Sequence, residues 1–227
     1  AAAMHSSRPD CFDTLLGHGS NPCTVDKAAN TILHVFVRQG DAAGVRKCLH
    51  LFDPNVDPNQ EGQAPIHMAA SAADLEVLQL LVDNQASIDM RDKGLRTALH
   101  YAAEHGGGEM VEYLITKNAD VKLQSSDGLT PMHAAVHGNQ SSAVDILFQN
   151  AAELDAQDTL GRTPSHHAAE MHTLHPGCFD ALLGHGADLQ ALDHAGNTVL
   201  HVLAQQRDAG GVVKCLDKTV DVNATNR

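Results

Sequence analysis

The chain has 227 residues, 43% of them apolar, but it contains no Trp, two Tyr and five Phe. A core must therefore be built from Ala, Leu, Val and Ile, and such small side chains favour thin layers of closely packed helices. The formal charge of −13 argues against DNA or RNA as a partner, because phosphate binding needs a dense basic surface. A basic or mixed-charge protein is the expected ligand.

The sequence pattern also bears on location. It contains no apolar run of about 18 residues, the length that a membrane span requires. Residues Ala1–Ser7 lack the basic start and the apolar region of a signal peptide. The five cysteines are widely spaced and form no Cys-x-x-Cys pair, which indicates reduced thiols. We therefore expect a cytoplasmic or nuclear protein with no direct membrane insertion.

One five-residue pattern recurs along the chain and ends each time in His. Its six copies are Asn30–His34, Gln63–His67, Arg96–His100, Leu129–His133, Arg162–His166 and Asn197–His201. Their histidines are 33, 33, 33, 33 and 35 residues apart. Small residues follow, as in Tyr101–Ala103, and then an apolar stripe of helical period, as in Val77–Val82. This period predicts repeated units that bury their apolar faces against their neighbours.

The order of residues within one unit predicts its local structure. Thr can cap a helix through its hydroxyl, Pro suits the first turn, and the His side chain can bind backbone of the adjoining turn. Alanine pairs let the first helix lie close to a second one. Near the end of a unit, Gly permits the left-handed turn that stops the second helix, and the Asp-Gly segment that follows predicts a finger-like hairpin.

These six copies in register resemble the ankyrin-repeat family over essentially the whole chain. The resemblance implies an all-α solenoid of stacked helix-turn-helix units with β-hairpin-like finger loops. It divides a single domain, residues 1–227, into a partial repeat 1–25 and repeats at about 26–58, 59–91, 92–124, 125–157, 158–192 and 193–227. The sequence departs from the motif where Pro is replaced by Ile32, Ala98 and Val199, where Leu is replaced by Ser165, and where the finger glycine is displaced in Asp92–Arg96. We expect lower stability in these units.

A second, longer repeat relates residues 1–49 to residues 168–216. Aligned without gaps, they are identical at 28 of 49 positions, which indicates a duplicated block of five units. We interpret the chain as a monomeric fragment of a longer ankyrin array, with a degenerate N-terminal cap as the alternative. The two extra residues of the fifth unit fall within Met171–Gly177, whose counterpart is Met4–Asp10. Pro in both segments predicts stiff protruding loops, which are either inherited decoration or functional.

In ankyrin proteins generally, partners bind a concave face built from the finger tips and the exposed side of the first helices. Transferred position by position, the resemblance implies partner-binding residues at Arg38, Gln39, Gln63, Lys93, Arg96, Glu104, His105, Leu129, His137, Arg162, Glu170, Met171, Asn197 and Gln205. Arg and flexible apolar side chains are enriched at interface centres, so the expected anchors are Arg38, Arg96, Leu129, Arg162 and Met171. Counted over the whole face, which also includes Lys27, Glu61 and Asp127, five basic residues stand against four acidic ones, which places the excess negative charge on the outer helices and turns.

Sixteen histidines raise the question of catalysis or metal binding. The one dense cluster of possible zinc ligands is His166, His167, His172, His175 and Cys178, but its spacing spreads it over a helix end and a loop instead of one helical face. His105–Gly108 resembles an oxyanion loop, yet no Gly-x-Ser-x-Gly elbow accompanies it. A loop between two helices is the better interpretation. The sequence thus predicts no catalytic residue, no cofactor and no metal.

The sequence therefore predicts a non-catalytic scaffold that binds another protein along its concave face. The alternative is a targeting or regulatory arm of a larger enzyme, channel or toxin whose active domain lies outside these residues.

Overall fold

The computed structural model describes residues 24–218. The Met4–Asp10 loop and all but two residues of the predicted partial repeat lie outside this range. The α-helices, in chain order, are α1 (Ile32–Gln39), α2 (Ala42–Leu49), α3 (Pro65–Ser71), α4 (Leu75–Asp83), α5 (Ala98–Tyr101), α6 (Gly107–Thr116), α7 (Pro131–His137), α8 (Ser141–Gln149), α9 (Pro164–Met171), α10 (Pro176–Gly184), α11 (Val199–Gln205) and α12 (Ala209–Leu216). They form six helix pairs, numbered here as units one to six. The exact boundaries of the repeats stay a prediction.

The helix pairs stack into two layers around a continuous apolar core. Each first helix packs on the second helix of its own unit, and the first helices contact one another in succession from α1 to α11. Buried alanines such as Ala69, Ala102 and Ala135 allow this close approach. A single apolar cluster runs from Leu33 in α1 to Cys215 in α12. The prediction of an all-α stack of helix-turn-helix units is confirmed.

The repeated Thr and His fix the start of each first helix. In the fourth unit, the main-chain N–H of Thr130 donates to Nδ1 of His133 over 3.2 Å, and the Thr130 hydroxyl lies 3.0 Å from the same nitrogen. Nε2 of His133 then donates to the carbonyl oxygen of Arg162, 3.2 Å away in the fifth unit. The sequence predicted a bond to backbone of an adjoining turn. The structure shows that this turn belongs to the next unit.

The fingers are the turns that precede the first helix of each unit, and hydrogen bonds link each one to the next. In the fifth finger, the N–H of Asp158 donates to the carbonyl of Arg162 over 2.9 Å, which closes the turn. Thr159 donates to the carbonyl of Asp127 in the preceding finger, also over 2.9 Å. Residues 24–218 contain no β-strand, so the fingers resemble hairpins only in these hydrogen bonds.

The third finger carries a leucine at a position where four of the described fingers carry glycine. Gly62, Gly128, Gly161 and Gly196 take φ between 75° and 79° at one finger position, where Leu95 takes φ 58° and Ala29 of the first finger takes φ 61°. A side chain in this left-handed region is strained, whereas glycine is not. The displaced glycine noted in the sequence therefore places a strained Leu at the tip of the third finger.

The third unit also contains a π-helical turn, Ala102–Gly106, between α5 and α6. Its left-handed residue is Gly107, with φ 68°, one position later than the equivalent residue Asn139 of the fourth unit. The prediction of a plain loop at His105–Gly108 was therefore wrong. Glu104 and His105 belong to the wider π turn. Helix α6 can begin at Gly107 because glycine accepts the left-handed conformation.

The insertion of the fifth unit is partly built into the stack. Pro176 is the first residue of α10, where a helix needs no N–H donor, so it begins the helix and does not stiffen a loop. His172 is buried, and its Nδ1 contacts Oδ2 of Asp208, the N-cap of α12 in the sixth unit. Leu174 is 78% exposed. The segment protrudes at Leu174 but joins two units through His172.

Candidate functional site

The groove surface, defined as the finger tips and the exposed side of the first helices, carries an ion pair in the third unit. Nη2 of Arg96 contacts Oε2 of Glu104, a residue of the π turn. The guanidinium also lies 4.2 Å from the centre of the Tyr101 ring, in a cation–π contact. The Tyr101 hydroxyl in turn donates to Oδ2 of Asp92 over 2.7 Å. Arg96 is therefore a fixed group, paired within its own unit.

The fifth unit brings the equivalent arginine and glutamate together as an ion pair. Nη2 of Arg162 lies 2.6 Å from Oε2 of Glu170. Here His167 takes the place of the tyrosine, and its Nε2 lies 2.8 Å from Oδ2 of Asp158. These couplings were not predicted from the sequence, although the sequence contains a signal for them. Four residues of the third unit have counterparts in the fifth unit, 66 residues later. Asp92, Arg96, Tyr101 and Glu104 correspond to Asp158, Arg162, His167 and Glu170.

A histidine of the fourth unit lies between the two ion pairs. Nε2 of His137, at the end of α7, lies 3.0 Å from Nδ1 of His167. Burial is the main cause that lowers the pKa of His137, and the charges of Glu104, Arg96, Arg162 and Glu170 also affect it. Burial lowers the pKa of His167 to about 4. Both rings are thus neutral near pH 7, and units three to five form one connected polar surface.

The other predicted residues fall into two groups. Arg38, Gln39, Lys93, His105, Glu170 and Gln205 are exposed, whereas Gln63, Leu129, Met171 and Asn197 are half-buried. Gln63 is held, since its Nε2 donates to the Tyr101 hydroxyl over 3.1 Å. Lys93 donates to the carbonyl of Gln60 over 2.7 Å. The structure brings together the residues of units three to five, while Arg38 and Gln205 lie at opposite ends of the described stack.

Four of the five residues considered as zinc ligands have structural roles, and the fifth, His175, is exposed with its Nδ1 3.2 Å from Nδ2 of Asn139. His166 binds Thr163 and the carbonyl of Asn197, and His167 and His172 each contact an aspartate. Cys178 is buried in the core. In the part of the chain that is described, no three His, Cys, Asp or Glu side chains converge as a metal site would require. None of the described helices is both long and apolar enough to cross a membrane.

Comparison with known proteins agrees with the geometry. The family model "Ankyrin repeats (3 copies)" matches residues 1–92, 86–158 and 140–226. The chain belongs to the ankyrin-repeat family. Ankyrin repeats generally mediate protein–protein interaction, and ankyrin-repeat domains are typically non-catalytic.

This ankyrin-repeat chain is also similar to a solved structure. The crystal structure of the ankyrin repeat domain of Bcl-3, described as a unique member of the IkappaB protein family, superposes with a TM-score of 0.75 at 31% sequence identity. The match covers 88% of this chain and 91% of the Bcl-3 domain. The stacking of units therefore follows a known ankyrin domain over most of its length.

Proposed function

We propose that this ankyrin-repeat chain is a non-catalytic scaffold that binds a partner protein along the groove surface. The observation that carries the proposal is the connected polar surface of units three to five. Arg96, His137 and Arg162 are each fixed by contacts within the stack before any partner arrives. Binding groups that are already ordered lose little conformational entropy on association.

Apolar side chains at the finger tips add the second element of an interface. Leu160 is 60% exposed and Leu95 is 41% exposed, each beside an ordered Arg of its own finger. Interface centres combine such apolar groups with arginine. Leu95 is held in a strained conformation at this position, and strained residues cluster at ligand-binding sites. Each arginine meets the partner as one half of an ion pair, Arg96 with Glu104 and Arg162 with Glu170, and not as a free cation.

The nucleophiles and bases among residues 24–218 support a non-catalytic role. Burial raises the pKa of Cys48, Cys178 and Cys215 to about 11, so these thiols stay protonated. The histidines of the repeated five-residue pattern bind the helix caps and the backbone of the next unit. The three thiols are free, which supports the cytoplasm or nucleus as the location. We propose a monomeric array that binds a protein partner and neither nucleic acid nor membrane.

Site-specific photo-crosslinking in the intact protein, inside the cell, tests the assignment of the face. The crosslinker replaces Leu160 on the groove surface or, as a matched control, Val213 on α12. Both are exposed aliphatic side chains, at 60% and 56%. We expect a discrete crosslinked partner from position 160 and none from position 213. The same partner captured from position 213 alone would assign binding to the outer helices.

A further inference from the structure

A small cleft opens on the groove surface between the third and fourth fingers. Its volume is about 160 Å³, and its walls include Arg96, Glu104, Ser126, Asp127, Leu129 and His137. Sites for drug-sized ligands occupy about 300–1,000 Å³, so this cleft suits a single side chain. It lies at the centre of the connected polar surface described above.

The charges on the cleft walls leave a net negative site. Arg96 is neutralised by its ion pair with Glu104, which leaves the carboxylate of Asp127 uncompensated. Asp127 is exposed at the finger tip, and within residues 24–218 its carboxylate has no hydrogen-bond or ion-pair partner. The main-chain carbonyl of Asp127 accepts from Thr159, which fixes the backbone that carries it.

The hydrogen-bond chain from Asp158 through His167 to His137 determines which ring nitrogen of His137 carries the proton. A carboxylate can only accept, so Nε2 of His167 must donate to Asp158. Neutral His167 then accepts at Nδ1, and His137 must donate to it from Nε2. The remaining nitrogen of His137, Nδ1, is left as an acceptor, and it has no partner in the described part of the chain. Asp158 thus acts as a positioning residue that makes His137 an acceptor toward a ligand.

We propose that this cleft binds one basic side chain, Lys or Arg, of the protein partner. The inference rests on the proposed function and names the chemistry of one contact. An ammonium or guanidinium group donates hydrogen bonds, which matches the acceptors of Asp127 and His137, and its charge matches the uncompensated carboxylate. An acidic side chain would meet repulsion from Asp127 and Glu104. An apolar one would bury the Asp127 carboxylate without a partner.

Titration followed by NMR tests the cleft without knowledge of the partner. The probes are n-butylammonium and n-propylguanidinium, with butyrate and n-butanol as controls at constant ionic strength near neutral pH. We expect the two cations to cause saturable shifts of the His137 ring and Leu129 methyl signals, and the controls to cause none. Butyrate or butanol binding at least as tightly as the cations would overturn the proposal.

A matched pair of variants separates local binding from the general acidity of the protein. Asp127→Asn removes a charge from the cleft, and Glu112→Gln removes the same charge from an exposed position of α6, outside the cleft. We expect Asp127→Asn to weaken cation binding about threefold to fivefold, as for an exposed ion pair, and Glu112→Gln to have little effect. Equal effects of the two variants would overturn the proposal.

A third variant tests the direction of the hydrogen-bond chain. Asp158→Asn presents an amide N–H₂ to His167, which reverses the chain and puts the proton of His137 on Nδ1. The fold tolerates Asn at this finger position, because Asn59 in the second unit accepts from Glu61 and Gln63 in the same way. We expect exchanged ¹⁵N shifts of the two His137 nitrogens and weaker cation binding. Unchanged shifts and binding would contradict the role of His137 as acceptor. If these tests fail, the assignment of a basic side chain to the cleft is wrong. The crosslinking experiment at positions 160 and 213 still tests the proposed function separately.

Discussion

His133 of the fourth unit donates from Nε2 to the carbonyl oxygen of Arg162 in the fifth, over 3.2 Å. The same link joins His34 to Gln63, His100 to Leu129 and His166 to Asn197. His67 instead reaches the carbonyl of Met90, at 2.8 Å. Because a carbonyl oxygen accepts this bond and Nδ1 accepts from the helix cap, each ring fits its site as the neutral Nε2–H form.

Stability should therefore fall in mild acid. Burial lowers the pKa of His100 and His133 to about 4, and it also lowers the pKa of His34, His67 and His166. Between about pH 6.5 and 4 the unfolded chain binds more protons than the folded one, so the free energy of unfolding falls as pH falls through this window. Each pKa unit is worth about 1.4 kcal/mol, so a buried histidine contributes up to about 3 kcal/mol.

Urea unfolding at several pH values measures this effect. His100→Gln should flatten the dependence on pH, because it removes one titrating group from the interface between units. The control His50→Gln changes an exposed histidine outside the repeated pattern and should leave the slope intact. A free energy of unfolding that stays constant between neutral pH and pH 4 would contradict the neutral histidine links.

Ser165→Ala should stabilise the fifth unit. Ser165 occupies the Leu position of the motif and is fully buried, and its hydroxyl has no hydrogen-bond partner within the described residues. Removing an unsatisfied buried hydroxyl relieves a cost of about 1–3 kcal/mol. Thermal unfolding should show a higher Tm. Ser125→Ala is the opposite control, since the Ser125 hydroxyl accepts from the N–H of Leu129 over 3.1 Å, and its loss should lower the Tm.

Leu95→Gly should stabilise the third finger while weakening partner binding. The φ of 58° at Leu95 costs about 1–2 kcal/mol in a non-glycine residue, and part of this is offset by the greater freedom of glycine in the unfolded chain. Gly128→Ala, at the same finger position, should destabilise, because its Cβ would lie 2.8 Å from the main-chain N of Thr159. A lower free energy of unfolding for Leu95→Gly in urea would argue against strain.

His172→Ala should loosen the sixth unit. It removes the contact of Nδ1 with the buried Asp208 carboxylate, and leaving a buried acceptor short of one hydrogen bond costs about 1–3 kcal/mol. Hydrogen exchange should become faster in α11 and α12. Leu174→Ser changes the same segment at its most exposed side chain and should have little effect. Equal exchange in the two variants would mean that the insertion is decoration alone.

The fold was predictable because the spacing of 33 residues and the Thr-to-His pattern report on contacts that every unit repeats. The link from His137 to His167 was not, because it depends on how neighbouring units are placed in space. Nothing local to His137 indicates that it meets His167, 30 residues away. The π turn at Ala102–Gly106 was missed because a run of glycines permits several backbone paths. The partner-binding residues therefore stay a prediction until a complex is measured.

Hydrogen exchange of the intact protein, with and without the partner captured at position 160, measures whether that partner covers the groove surface. Binding along the groove surface should slow exchange at the third, fourth and fifth fingers, residues 92–96, 125–129 and 158–162, with little change in α6 and α8. Protection of α6 and α8 with unchanged fingers would contradict it.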